Sequence, residues 1–175
     1  MQQASKSSVA TLVLGIAAAS LVLWYMNDRP RGADRLPDFS LPSLKDTERV
    51  VSPQTLLERP ALVNFWASWC LACRTEHTLL LELAETKQIP LYGVNFLDKR
   101  GDAIRWLDYY GDPYIVSAHD IEGSLGHAMG AEALPVTYLV GIDGEILYTH
   151  IGPLSRTLME QSIMPKIIQS ERAQE

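Results

Sequence analysis

The chain holds two cysteines, three positions apart, in Trp69-Cys70-Leu71-Ala72-Cys73. Sulfur attacks disulfides as the thiolate, and a free thiol with a pKa of about 8.5 is mostly protonated at neutral pH. A Cys-x-x-Cys placed where a strand ends and a helix begins changes that balance. The first sulfur then lies beside unpaired backbone N–H groups and the positive end of the helix dipole, both of which favour an anion. The offset lets the second sulfur reach the first and resolve a mixed disulfide within the molecule. On this reading Cys70 attacks and Cys73, buried, completes the exchange. Two other readings stand beside it, an inert structural disulfide and half of a zinc site. Zinc needs two further ligands, and His77, on the same helix face as Cys73, is the only nearby candidate. Arg74 could add positive potential beside the thiolate; equally, it reads as a solvated helix charge.

The flanking sequence supplies the strand and the helix. Ala61–Ser68 (ALVNFWAS) is an apolar, β-prone run and reads as a buried strand. From Cys73 to Thr86, apolar Leu79, Leu80, Leu83 and Ala84 alternate with charged residues at helical spacing. Pro90–Phe96 reads as a second strand, and Asp102 as the cap of a helix that Gly111 ends. Val136–Val140 and Glu145–His150 flank Asp143-Gly144, a strong hairpin-turn signal. Ser155 can cap a last helix bent at Pro165. Strand–helix–strand connections imply a parallel core, to which the hairpin adds an antiparallel edge. Trp66 is placed in the core and Trp69 over Cys70.

Composition narrows the class. The chain has 175 residues, 47% of them hydrophobic, with a net charge of −6, which argues against a nucleic-acid-binding surface. Phosphate-loop and serine-hydrolase motifs are absent. His119, His127 and His150 lack metal-ligand spacing and read as surface or half-buried residues. Val9–Met26 is uncharged and ends in Trp24-Tyr25, and as a helix it would rise about 27 Å, near the thickness of a hydrocarbon core. We read residues 1–26 as a retained membrane anchor spanning 9–26, residues 27–36 as a linker, and residues 37–175 as the globular domain. Arg29, Arg31 and Arg35 would by charge counting hold the domain in the cytoplasm. A leader-like segment exports the chain behind it, and the cysteine chemistry suits the outside, so the domain is placed there.

These stretches resemble a known family. LVNFWASWCLACRTEH is similar to the active-site segment of thioredoxin-fold proteins, above all the membrane-anchored cytochrome c maturation thioredoxins of the CcmG/DsbE type. PDFSLPSL (37–44) resembles that subgroup's opening segment, and GVNFLDKRGDAIRWLDYYGDPY (93–114) its strand with an inserted helix. The resemblance implies an α/β thioredoxin-like fold, a central mixed sheet flanked by helices with an inserted strand–helix region. It makes Pro135 a cis-proline facing the dithiol, with Trp69 and the Leu134 backbone lining a groove where an extended peptide adds as a strand. Asn64 stands where general thioredoxins carry a buried Asp that helps deprotonate the resolving cysteine. Asn does not titrate, so proton transfer from Cys73 must use water or another acid. Glu76 is near enough to serve, although its place reads more readily as an exposed first-turn carboxylate beside the helix dipole. Asp98 resembles an acidic position near the groove, with a solvated loop charge as the alternative.

The implied protein is an envelope thiol:disulfide oxidoreductase in the inner membrane, with its catalytic domain in the periplasm. It would reduce apocytochrome c Cys-x-x-Cys-His disulfides before haem attachment, drawing electrons from a membrane donor of the DsbD/CcdA kind. No metal and no cofactor beyond the Cys70–Cys73 couple is implied. Two departures broaden the expectation. The Leu71-Ala72 dipeptide lacks the subgroup's frequent proline, and Val136 follows Pro135 where Glu is frequent. The alternatives are a general envelope disulfide reductase and a non-catalytic apocytochrome-binding module.

Overall fold

The structure, a computed structural model, describes residues 33–172. The expected membrane span and most of the expected linker lie outside these residues. Among the described residues no helix is long and apolar enough to cross a membrane.

A five-stranded sheet forms the centre. Its strands are β3 (Ala61–Trp66), β4 (Leu91–Phe96), β5 (Ser117–Asp120), β6 (Val136–Val140) and β7 (Ile146–Ile151), in the order β5-β4-β3-β6-β7. Strand β3 runs parallel to β4, and β4 to β5, while β6 runs antiparallel to both β3 and β7. The mixed sheet is thus the one that the strand–helix–strand order and the Asp143-Gly144 turn imply. Every residue of β3, β4 and β6 is buried, as expected of strands covered on both faces.

Each face has its own apolar layer. One gathers Leu62, Trp66, Leu80, Leu91, Leu107 and Ile163 beneath three helices, and it also contains both cysteines. These helices are the long one at Leu71–Thr86, its successor at Arg100–Tyr110, and the last helix of the chain. The other face packs Val63, Phe65, Val94, Leu125, Met129 and Tyr138. A short two-stranded ladder, β1 (Leu41–Pro42) with β2 (Val50–Val51), precedes the helical turn α1 (Pro53–Leu56). We number the remaining helices α2 (Leu71–Thr86), α3 (Arg100–Tyr110), α4 (Ser124–Met129), α5 (Arg156–Leu158) and α6 (Met164–Arg172).

Several details depart from expectation. Helix α3 begins at Arg100 with Lys99 as its cap, so Asp102 lies in its first turn instead of capping it. Ser155 does cap its helix, its hydroxyl accepting from the Leu158 N–H at 3.2 Å. The irregularity expected at Pro165 takes the form of a π-helical turn at Met159–Ile163, just ahead of it. Proline lacks an N–H and clashes with the carbonyl four residues back, and a widened turn relieves both. At the front, the last expected linker residues already join the domain. Arg35 bridges to Glu145, the Leu36 N–H donates to the Gly144 carbonyl at 2.7 Å, and Leu36 is buried.

Candidate active site

The end of β3 delivers the chain into α2 through Ala67-Ser68-Trp69, and Cys70 is the N-cap of that helix. Cys70 and Cys73 are joined by a disulfide, their Cα atoms 5.4 Å apart. The Cys73 N–H points at the Cys70 sulfur at 3.1 Å, a backbone donor from the unpaired first turn. Once the disulfide opens, the Cys70 thiolate would have that donor and the helix dipole to stabilise it. Cys70 is 6% exposed and Cys73 2%, so both are buried, Cys73 the more completely.

The rim around the sulfurs is apolar. Trp69 is 60% exposed and Leu71 78%, and the Trp69 indole N–H donates to the Leu97 carbonyl at 3.0 Å. The Leu134–Pro135 peptide bond is cis. Leu134 packs against the apolar cluster that includes both cysteines. The Pro135 carbonyl accepts from the Gly152 N–H at 2.8 Å, tying this loop to the end of β7.

Glu76 is not the exposed first-turn carboxylate that its position suggests. Because α2 starts at Leu71, Glu76 falls in the second turn, and Cys73, Glu76, His77 and Leu80 form one buried stripe at helical spacing. Its carboxylate accepts from Asn64 Nδ2 at 2.8 Å and from the Leu154 N–H at 2.7 Å. Asn64 in turn donates to Thr137 Oγ1 at 2.9 Å and accepts from the Tyr114 hydroxyl at 2.8 Å. Burial pushes the Glu76 carboxyl up from 4.5 to about 7, against the lowering effect of the Leu154 and Asn64 hydrogen bonds. A carboxyl that takes and gives a proton near neutrality, one helical turn from the resolving cysteine, suits general acid–base work.

Asp98 is buried rather than a solvated loop charge. It accepts from the Ser68 N–H at 2.6 Å, the Ser68 hydroxyl at 2.9 Å and Asn95 Nδ2 at 3.0 Å, and so fixes the residue two before Cys70. Arg74 lies over the Tyr110 ring at 4.8 Å, a cation–π contact on the exposed side of α2. His77 is buried against Trp106 and hydrogen-bonded to the Gly111 carbonyl at 3.0 Å, and burial lowers its pKa. Among the described residues no group of three or more His, Cys, Asp or Glu side chains could hold a metal ion. His119 departs from its reading as a surface or half-buried residue: it is buried at the end of β5.

The structure therefore brings Cys70, Cys73, Glu76 and Leu134 together around one apolar layer, with Pro135 next in chain to Leu134. It sets Asp98 behind Ser68 and turns Arg74 toward Tyr110. Sequence reasoning missed the Tyr114–Asn64–Glu76–Leu154 chain of hydrogen bonds. The three-residue step from Cys73 to Glu76 is the signal that could have revealed its buried end.

Comparison with known proteins gives a consistent picture. The Redoxin family model matches residues 32–168. The thiol:disulfide interchange protein DsbE of Allochromatium vinosum is 33% identical over 171 residues, covering 94% of both chains. DsbE of Escherichia coli K12 is 34% identical over 166 residues, covering 88% of this chain and 89% of its own. A secreted thiol-disulfide isomerase from Corynebacterium glutamicum shares the fold, with a TM-score of 0.68 over 80% of this chain and 95% of its own, at 19% identity.

Proposed function

The chain belongs to the DsbE-type, thioredoxin-like branch of the redoxin family and is a thiol:disulfide oxidoreductase, and from that premise we propose that it works as a membrane-anchored reductase of the cell envelope. Its substrate is the disulfide of an apocytochrome c Cys-x-x-Cys-His segment, opened so that haem can be attached. Residues 9–26 anchor it in the inner membrane with the domain on the periplasmic side, and a DsbD/CcdA-type membrane thiol donor re-reduces it. The curated relatives named DsbE support the reading.

The observation that carries the exchange chemistry is the Cys70–Cys73 disulfide at the start of α2, with the buried Glu76 one helical turn from Cys73. The Cys70 thiolate attacks one sulfur of the substrate disulfide, and the other substrate sulfur leaves as a thiolate that takes a proton. A mixed disulfide now joins enzyme and substrate. Glu76 accepts the Cys73 proton, and the Cys73 sulfur attacks Cys70, closing the Cys70–Cys73 disulfide and expelling the second substrate thiolate. Two electrons pass from enzyme to substrate, and Glu76 returns its proton to solvent. The electrons come from the dithiol, and thioredoxin-like oxidoreductases generally need no added cofactor.

The direction of electron flow rests on the surroundings of Cys70. Leu71 and Ala72 bring no charge or hydrogen-bond donor in their side chains, so the thiolate is stabilised by the helix start alone. About 1.4 kcal/mol of thiolate stabilisation corresponds to roughly 30 mV. Without such side-chain help the couple lies on the reducing side.

Replacing Cys73 by Ala tests the reading. Reduced C73A should capture an oxidised Cys-x-x-Cys-His peptide through Cys70 as a covalent adduct seen by intact mass, and in preference to an unrelated protein disulfide. Absence of any adduct would overturn the reductase. A second reading, a general envelope reductase, draws on Val136 after the cis-proline and on the missing proline at Leu71-Ala72. It predicts equal capture of both substrates.

A further inference from the structure

We infer that His119, braced by Arg100, is a positioning residue for disulfide exchange, holding Ser68 and Trp69, and through them Cys70, in place by way of the Leu97–Asp98 loop. This rests on the oxidoreductase activity and not on the identity of the substrate.

The loop after β4 touches the segment before Cys70 at three points. The Asp98 carboxylate receives the Ser68 N–H and hydroxyl, and the Leu97 carbonyl receives the Trp69 indole N–H at 3.0 Å. Its backbone, however, is not one a side-chain-bearing residue adopts freely. Leu97 has φ +46°, in the left-handed region, and such a conformation persists only where the surroundings hold it. Strand β5 does the holding. The Leu97 N–H donates to the Asp120 carbonyl at 3.0 Å, and His119 Nε2 bonds to the Asp98 carbonyl at 3.0 Å.

The polarity of the brace is fixed. A backbone carbonyl only accepts, so His119 Nε2 carries the hydrogen. A guanidinium only donates, so Nδ1 is the acceptor for Arg100, 3.0 Å away. Arg100 is itself anchored on the Ser43 carbonyl at 2.7 Å and on that of Leu44. His119 is buried, so losing either bond would leave a polar group unpaired in the interior. The path from the opening segment to the nucleophile is continuous: Ser43 and Leu44, Arg100, His119, Asp98, Ser68, then Cys70.

The test compares two variants in the reduced full-length protein. H119F keeps an aromatic ring, somewhat larger than imidazole, and removes both hydrogen bonds. H119Q supplies one acceptor and one donor again. Small misplacements of a reacting atom are costly, so H119F should slow iodoacetamide alkylation of Cys70 at pH 7 by about threefold to tenfold. Its equilibrium with dithiothreitol should move toward the enzyme disulfide by a similar factor, since a loosened helix start stabilises the thiolate less. H119Q should restore both readouts to near wild type. A lowered Tm with alkylation and equilibrium unchanged in H119F would overturn the inference, as would an H119Q no better than H119F. Should H119F not fold, R100M removes the outer half of the brace and carries the same expectation for both readouts, with unchanged values again overturning it.

Discussion

At the scale of single residues, the proposed mechanism gives Glu76 the second half of the exchange. Its carboxyl is buried, bonded to Asn64 and Leu154, and held up to about 7. Replacing it by Gln removes the proton acceptor and leaves Cys70 untouched. Resolution of a preformed mixed disulfide should then slow by about 10- to 100-fold in rapid-quench experiments, the lower range of general-base effects, while Cys70 alkylation stays at the wild-type rate. A second consequence concerns stability. Below pH 4.5 the carboxyl is neutral in both folded and unfolded chains. Between 4.5 and about 7 the unfolded chain gives up this proton while the folded one keeps it, so stability falls across that window. The loss approaches about 3 kcal/mol at most. Urea unfolding of the oxidised protein at pH 5 and pH 8 should show this decline in wild type and its absence in E76Q; equal slopes would remove Glu76 as the cause. The cysteine pair was legible because helix start and spacing are local. The burial of Glu76 was not, since it depends on Leu154, 78 positions further along, and on the true first residue of α2.

At the scale of elements, β5 and α4 escaped the sequence for a physical reason. Ser117-Ala118-His119-Asp120 offers no apolar alternation, and it is buried for its hydrogen bonds instead. Asp120 receives the Gly126 N–H at 2.8 Å and the Ser124 hydroxyl at 3.2 Å, and so pins α4. Gly126 lies so close to β4 that an added Cβ would overlap the Phe96 ring. Gly126→Ala should therefore destabilise the protein by about 1–3 kcal/mol through overpacking, measured by chemical denaturation. Asp98→Ala should cost a similar amount, about 1–3 kcal/mol, because it strands the Ser68 N–H without a partner. The two differ in function: G126A should keep normal Cys70 reactivity, and D98A should not. By contrast, β3, β4, β6 and β7 were readable because each apolar run is bounded on at least one side by a Pro, Gly or Asp-Gly signal.

At the scale of the molecule, the mixed sheet was foreseeable from element order, and its borders were less so. Arg35 and Leu36 are polar-linker neighbours in sequence, yet they complete the edge beside β7. A domain beginning at Pro37 should be less stable than one beginning at Ala33 by about 1.5–3 kcal/mol, the worth of burying one leucine, read from the shift in urea midpoint. Equal midpoints would return Leu36 to the linker. The fold also bears on which molecules would drain or load the electron pair. Both cysteines are buried, while the flanking Trp69 and Leu71 are exposed. A small hydrophilic thiol gains nothing from that greasy doorstep and must approach a recessed bond unaided. A partner protein with a complementary oily face would dwell there longer, so the pair should exchange electrons with such a protein faster than with bystander thiols, a difference that parallel rate measurements with each would show.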